Sequence, residues 1–239
     1  LESYAAHLPP GFPCASKVWQ DITIHTWTKV QDKAKANQPN PHFLDAALFL
    51  EAVYEPYRRH FADHMGPFMF EFQAIPSGPR GLSAEEFAER LDTFFAKLPA
   101  GGPWAVEIRN PEFLTPRYFA VLREHGVSHV FNSWTRMPSI GEQLSLEDSV
   151  AGPTLIARAL LKPGRTYNEA VDAFAPYDRV QEPLPSLRAY NPSWSVEVGR
   201  PSGGGWIAGD ELRVASNGPL PSRCSHRSSH RACASASGS

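Results

Sequence analysis

WAVEIRNPEF, Trp104 to Phe113, is the stretch on which the fold turns. Side chains in a strand alternate between faces, so Trp104, Val106 and Ile108 share one side while Ala105, Glu107 and Arg109 share the other. The residue types predict burial on both. A carboxylate and a guanidinium enclosed together are costly to desolvate unless they pair or serve a ligand. These charges locate a candidate site without naming its reaction.

Outward from this strand, strands and helices alternate from Gly11 to Phe174. GFPCASKV reads as a short strand ending near Lys17. NPHFLDAALFLEAVYEPYRRHF reads as a helix with Pro41 in its first turn and Leu44, Leu48 and Phe49 on one face. GPFMFEFQ is the next strand, with Phe68, Phe70 and Phe72 opposite Met69, Glu71 and Gln73. Ser83 and Glu86 have capping-box spacing, and Phe87, Leu91, Phe94, Phe95 and Leu98 then form a helical stripe. After the opening strand, Thr115 is placed as N-cap, Pro116 as the first helical residue and Gly126 as the stop. VSHVFNSW and PTLIARALL read as strands, and Thr166 with Glu169 is a second capping box, starting the helix TYNEAVDAF.

Strand and helix in strict turn imply parallel strands with helical crossovers, in an open sheet or a barrel. No Gly-rich phosphate fingerprint follows any strand, which counts against the nucleotide-binding version. A TIM-type (β/α) barrel makes the strand charges intelligible. One face of each strand points to the barrel axis and the other packs under the helices. Glu71, Gln73, Glu107, Arg109 and Asn132 then project inward near the carboxyl ends of the strands, where barrel enzymes keep their chemistry. The plain alternative is a polar plug, in which Glu107 or Glu71 pairs with Arg109 or Lys17 only to satisfy buried charge.

Bulk properties narrow the classes. The 239 residues are 42% hydrophobic and 11% aromatic, enough for a real core. A net charge of −2 and a pI near 6.5 give no overall basic field, so nucleic acid is unsupported as a partner and a small-molecule ligand is expected. No apolar run reaches membrane-spanning length, and no signal peptide is visible, so no membrane partner is expected. Cys14, Cys224 and Cys233 make neither a metal spacing nor an even-numbered disulfide framework, and a reducing cytoplasm is the default.

QPNPHFLDAALF, FEF, WAVEIRNPEFLTPRYFAVLREHGVSHVFNSWTRMPSIGEQL, ARALLKPGRTYNEAV and FAPYDRVQE together resemble the YecE-like family, domain of unknown function 72. The likeness runs from about Leu1 to Leu187, with VEIRN and FNSWTRMP in order at suitable spacing. It implies a TIM-type barrel without an established activity or cofactor. The resemblance also implies that this chain is incomplete: the family's Gly-Trp first strand and aromatic second strand would precede Leu1, and its closing strand with consecutive asparagines is not found. A partial barrel over 1–188 is therefore expected. From about Ala189 to Ser239 helical periodicity vanishes and Gly, Ser, Arg and His accumulate, as in a disordered tail. Out-of-frame translation of a GC-rich gene is the reading favoured over a natural tail, because the change falls where the closing strand belongs.

Glu71 and Glu107 invite an acid/base pair whose pKa values Arg109 or Lys17 would separate. Arg109 and Lys17 could equally hold a substrate carboxylate or phosphate. Gln73 sits beside them on the same face. Asn132 can orient a hydroxyl, and Trp134 can stack on a sugar or base or simply anchor its loop. Arg136 to Pro138 form a lid or a turn. His25, His42, His125 and His129 show no metal-ligand spacing, so no metal ligand is assigned. Cys14 is placed as a small core residue, and Ser16 and Ser133 lack partners for nucleophilic chemistry. The expectation is a metal-independent acid/base enzyme on a polar, anionic or sugar-like small molecule. Its alternatives are a metal-dependent nuclease or sugar isomerase and a non-catalytic binding barrel.

Overall fold

The computed structural model of the chain describes residues 1–161 and 165–175, together with the backbone of two strands at 206–208 and 211–214. Its strands are β1 (Cys14–Lys17), β2 (Met65–Phe72), β3 (Trp104–Ile108), β4 (Ser128–Asn132), β5 (Leu155–Arg158), β6 (Trp206–Ala208) and β7 (Glu211–Val214). The helices are α1 (Glu2–Ala5), α2 (Gln20–Thr23), α3 (Ala46–Phe49), α4 (Glu55–His60), α5 (Ala84–Phe95), α6 (Pro116–Glu124), α7 (Ile140–Ser145) and α8 (Tyr167–Phe174). A π-helical turn, Leu50–Tyr54, joins α3 to α4.

Strands β1 to β5 lie side by side in chain order, every neighbouring pair parallel. This is the α/β arrangement that the alternating pattern predicts. At its far edge β7 and then β6 add antiparallel to β5. These two strands are what is described of the stretch expected to be a tail; the rest of it, with 176–188, lies outside the described residues.

Local signals place the helices where the sequence reading puts most of them. Ser83 and Glu86 close both halves of the capping box on α5, and Thr166 with Glu169 does so on α8. Thr115 accepts from the Tyr118 backbone N–H, Pro116 opens α6, and Gly126 takes φ +64°, which lets the chain reverse into β4. The helix expected from Pro41 begins later. Asp45 is its N-cap, accepting from the Leu48 N–H, and Leu44 precedes it at φ +56° with its own N–H donated to Ile22. An Asp that can accept from the first turn ends the competition with Pro41 over where the helix starts. Helix α7 was not expected. Ser139 and Glu142 form its complete capping box directly after Arg136 to Pro138, the segment read as a lid or a turn.

One face of the sheet carries the main core. Phe68, Phe70 and Phe72 of β2 and Trp104, Val106 and Ile108 of β3 pack against Phe87, Leu91, Phe94 and Phe95 of α5 and Tyr118, Phe119 and Leu122 of α6. The opposite face has a small apolar layer of Met69, Ala105, Val130 and Ile156, with charged residues above it toward the strands' carboxyl ends.

Candidate functional site

Register builds the site. Glu71 of β2 and Glu107 of β3 are direct partners, as are Asn132 of β4 and Arg158 of β5. All four follow by two positions a residue of the apolar layer, so alternation sends them to the same face. Lys17, in register with Met69, joins them from β1.

Three donors converge on one carboxylate oxygen. Lys17 Nζ lies 3.1 Å, Arg109 Nη2 3.0 Å and Gln73 Nε2 2.7 Å from Glu71 Oε1. Arg158 Nη1 donates to Glu71 Oε2 at 2.9 Å and also to Glu107 Oε2, while Arg109 Nε stands 3.5 Å from Glu107 Oε1. In a flat sheet β2 and β5, three places apart, would be separated by about 14 Å, beyond the reach of side chains standing perpendicular to it. The Arg158–Glu71 bond therefore records a sheet curled toward this face.

The five ionic groups differ in access. Glu107 is 0% exposed, Glu71 3% and Arg109 8%, whereas the Lys17 side chain is 49% exposed. Gln73 is exposed, one residue beyond the end of β2, and reaches the cluster through its amide. The Arg109 guanidinium lies over the Trp134 ring, 3.8 Å from its centroid, and Tyr167 meets the same indole at 5.9 Å. The indole, read either as a stacking surface for a sugar or base or as a loop anchor, stacks on an arginine.

The two carboxyls are pushed apart. Burial raises the pKa of Glu71, but Arg109, Lys17 and the Arg158 bond outweigh it and hold the group below the ordinary carboxylate range. Burial also raises Glu107, and there it wins. Arg158 and Arg109 oppose it, the neighbouring Glu71 charge adds to it, and the group ends above its ordinary value.

Asn132 is fully enclosed. Its Nδ2 donates to the Ile108 carbonyl at 3.0 Å, and Gln143 of α7 clasps its backbone N–H and C=O. Its Oδ1 has no hydrogen-bond partner among the described residues. Behind the sheet, Tyr118 Oη and buried His129 Nδ1 lie 3.0 Å apart, and burial lowers the His129 pKa to about 4. His125 is bound to Asp92 at 2.8 Å, His42 to Asp45 at 3.4 Å, and His25 packs edge-on against Phe43. Among the described residues, no three His, Cys, Asp or Glu side chains are grouped so as to hold a metal ion. Cys14 is partly buried, its thiol pKa raised by burial.

All seven residues singled out from the sequence therefore fall in or around one cluster, with Gln73 and Trp134 at its border. Arg158 is the member that sequence reading missed. Its signal was present: in PTLIARALL an arginine stands two places after Ile156 inside an apolar run, the same pattern that marked Glu107.

No helix among the described residues is long and apolar enough to cross a membrane. A family profile described as "Protein of unknown function DUF72" matches residues 1–183. Among solved structures, a DUF72 family protein from Thermotoga maritima is similar at 18% identity and a TM-score of 0.38, over 57% of this chain and 45% of that one. The chain thus spans less than half of the length of that relative. No curated protein matches.

Proposed function

The chain belongs to the DUF72 family, whose description states no activity, and from the chemistry of its curled sheet we propose a metal-independent acid/base enzyme acting on a polar, anionic or sugar-like small molecule. The observation that carries the reading is a pair of carboxyls in register on neighbouring strands and bridged by Arg158, with Glu107 displaced upward by burial and Glu71 downward by its cations. Pairs whose environments separate their pKa values are how one site holds a proton donor beside an ionised partner at neutral pH. In this reading Glu107 is the donor, Glu71 the anion that keeps Lys17 and Arg109 in place, and those two cations hold the substrate. Gln73, Asn132 and Trp134 border the bound molecule. Five parallel strands in chain order with helices between them support reading the sheet as the larger part of a TIM-type barrel, whose chemistry lies at the carboxyl ends of its strands. Cysteine usage supports a cytoplasmic setting.

One observation favours a second reading, a non-catalytic binding barrel: Glu107 has no exposed surface. Thermal melting of the 239-residue protein and of Glu107→Gln, beside a panel of sugar phosphates, sugar acids and nucleotides, separates the two. The enzyme reading expects Glu107→Gln to melt within a few degrees of wild type and to abolish turnover of the compound that stabilises wild type. Stabilisation without turnover in wild type establishes the binding barrel. A loss on the order of 3–5 kcal/mol in Glu107→Gln, with no compound shifting the wild type, makes the cluster architecture alone.

A further inference from the structure

The connections that leave parallel strands all emerge at one end of the sheet, and here their charge is lopsided. Those following β2, β3 and β4 carry Arg80 and Arg136 against one acid, Glu112, besides Arg109, which is already paired with Glu71 and Glu107. Those entering β2 to β5 at the opposite end carry Asp63, Glu147 and Asp148 against one base, Lys97. The long connection after β1 carries both signs, Lys29, Lys33 and Lys35 with Asp21, Asp32 and Asp45. Arg80 and Arg136 are exposed. A molecule with a cationic end draws anions toward that end, more strongly the more charges the anion carries.

Inside this cationic rim, Lys17 and Arg109 share Glu71 Oε1 at 3.1 and 3.0 Å, so their donors converge on one point where an anionic oxygen already sits. An ammonium offers three donors and a guanidinium five, so both retain capacity for a second anion. A further acceptor waits nearby. Asn132 Oδ1 is enclosed with no donor among the described residues, a state that is unfavourable until a donor arrives. Asn132 is the register partner of Arg158, and Arg158 bonds the same Glu71 carboxylate that Lys17 and Arg109 bond. The orphan acceptor and the two cations are thus linked through Arg158 and the Glu71 carboxylate on one face of the curled sheet.

Resting on the acid/base reading above, we propose that the site takes a hydroxylated phosphate monoester, a sugar phosphate in chemical class. Its phosphate is held by Lys17 and Arg109 and drawn in by Arg80 and Arg136, and one of its hydroxyls donates to Asn132 Oδ1. A sugar acid has the hydroxyls but half the charge, and inorganic phosphate has the charge but no carbon-bound hydroxyl.

Titration calorimetry of the 239-residue protein with glucose 6-phosphate, gluconate, glucose and inorganic phosphate tests this at low and high salt. Glucose 6-phosphate is expected to bind about tenfold or more tightly than the other three, and to weaken as salt rises. Asn132→Leu should bring glucose 6-phosphate down to the level of inorganic phosphate. The double variant Arg80→Glu/Arg136→Glu should weaken glucose 6-phosphate about fivefold or more and flatten its salt dependence without moving the melting temperature. Gluconate binding as well as glucose 6-phosphate, or an unchanged ratio of glucose 6-phosphate to inorganic phosphate in Asn132→Leu, overturns the substrate class. The acid/base reading survives that result if Glu107→Gln still abolishes turnover of gluconate. No binding by any of the four overturns the substrate class, and strong destabilisation by Glu107→Gln in the same preparation overturns the reading beneath it.

Discussion

Strands β2 and β3 present two faces built on opposite principles. The helix-facing side is aromatic: Phe70 meets Phe49, Phe94, Phe95 and Trp104 at centroid distances of 5.0, 5.3, 5.6 and 6.4 Å. The concave side is ionic, with two carboxylates enclosed by Lys17, Arg109 and Arg158. Apolar contacts are numerous, weakly directional and interchangeable, whereas each buried charge depends on particular partners in particular positions. The aromatic face should therefore tolerate changes of shape that keep its volume. The ionic face should not tolerate an isosteric change of charge at its hub.

The largest expected effect lies on the aromatic face. Phe70→Ala removes a fully buried ring and should cost about 4 kcal/mol, read as a fall in the urea midpoint at unchanged slope. Phe70→Leu should cost about 1.5 kcal/mol or less, because most of the volume stays. Equal losses from the two would mean that ring geometry rather than filled space holds this face, and the contrast with the concave side would disappear.

Next comes the hub of the ionic face. Glu71→Gln leaves Lys17, Arg109 and Arg158 short of a counter-charge and should cost about 3 kcal/mol at neutral pH. Glu107→Gln should cost less than Glu71→Gln, because burial opposes the charged form of Glu107. Their pH dependences should run in opposite directions. Glu71, held down in the folded state, contributes stability above the ordinary carboxylate pKa, and this is lost as pH falls through its folded value. Glu107, held up, contributes below the ordinary carboxylate pKa and loses that contribution as pH rises through its folded value. On acidification the gap between wild type and Glu71→Gln should close while the gap to Glu107→Gln opens. Urea titrations from about pH 4 to about pH 8 measure both. Gaps that move together would show that the two carboxyls titrate as one group without distinct roles.

The same contrast explains what the sequence made legible. The aromatic face follows from period-two alternation in β2 and β3, from the capping box at Ser83 and from the N-cap at Thr115, signals contained within a few residues each. Glu71, Glu107 and Arg109 were also visible, since charge inside an apolar strand is conspicuous. What stayed hidden depends on the third dimension. Arg158 belongs with Glu71 only because the sheet curls across three strands, and no spacing along the chain encodes that curl. Gln73 shares the parity of Glu71 but lies beyond the end of β2, so parity alone placed it inside when it stands exposed at the border. Leu44 shows the local version of the problem. Pro41 and Asp45 both signal a helix start, and the backbone turns through a positive φ at Leu44 before the Asp45 cap is used. In α7 the capping pair Ser139 and Glu142 is as regular as the others, but it follows directly on Arg136 to Pro138, a segment read as a lid or a turn.

The smallest effect falls where the two principles meet. Trp134 is an aromatic residue on the ionic side, and its ring faces the Arg109 guanidinium at 3.8 Å instead of another aromatic ring packed in the core. A cation over an indole at a partly exposed position is worth about 0.5–1 kcal/mol. Arg109 also bonds both carboxylates, so removing it alone disturbs more than the stack, and a single substitution cannot isolate the contact. A double-mutant cycle of Trp134→Leu and Arg109→Met, followed by urea unfolding, removes the shared losses. The coupling should be about 0.5–1 kcal/mol, and it should persist at high salt, because the indole carries no net charge for salt to screen. Phe at position 134 should keep about half of it, since its ring attracts a cation less strongly than an indole does. A coupling indistinguishable from zero would mean that Trp134 merely covers Arg109. Its ring would then count with the apolar face, and the ionic face would consist of its charges and amides alone.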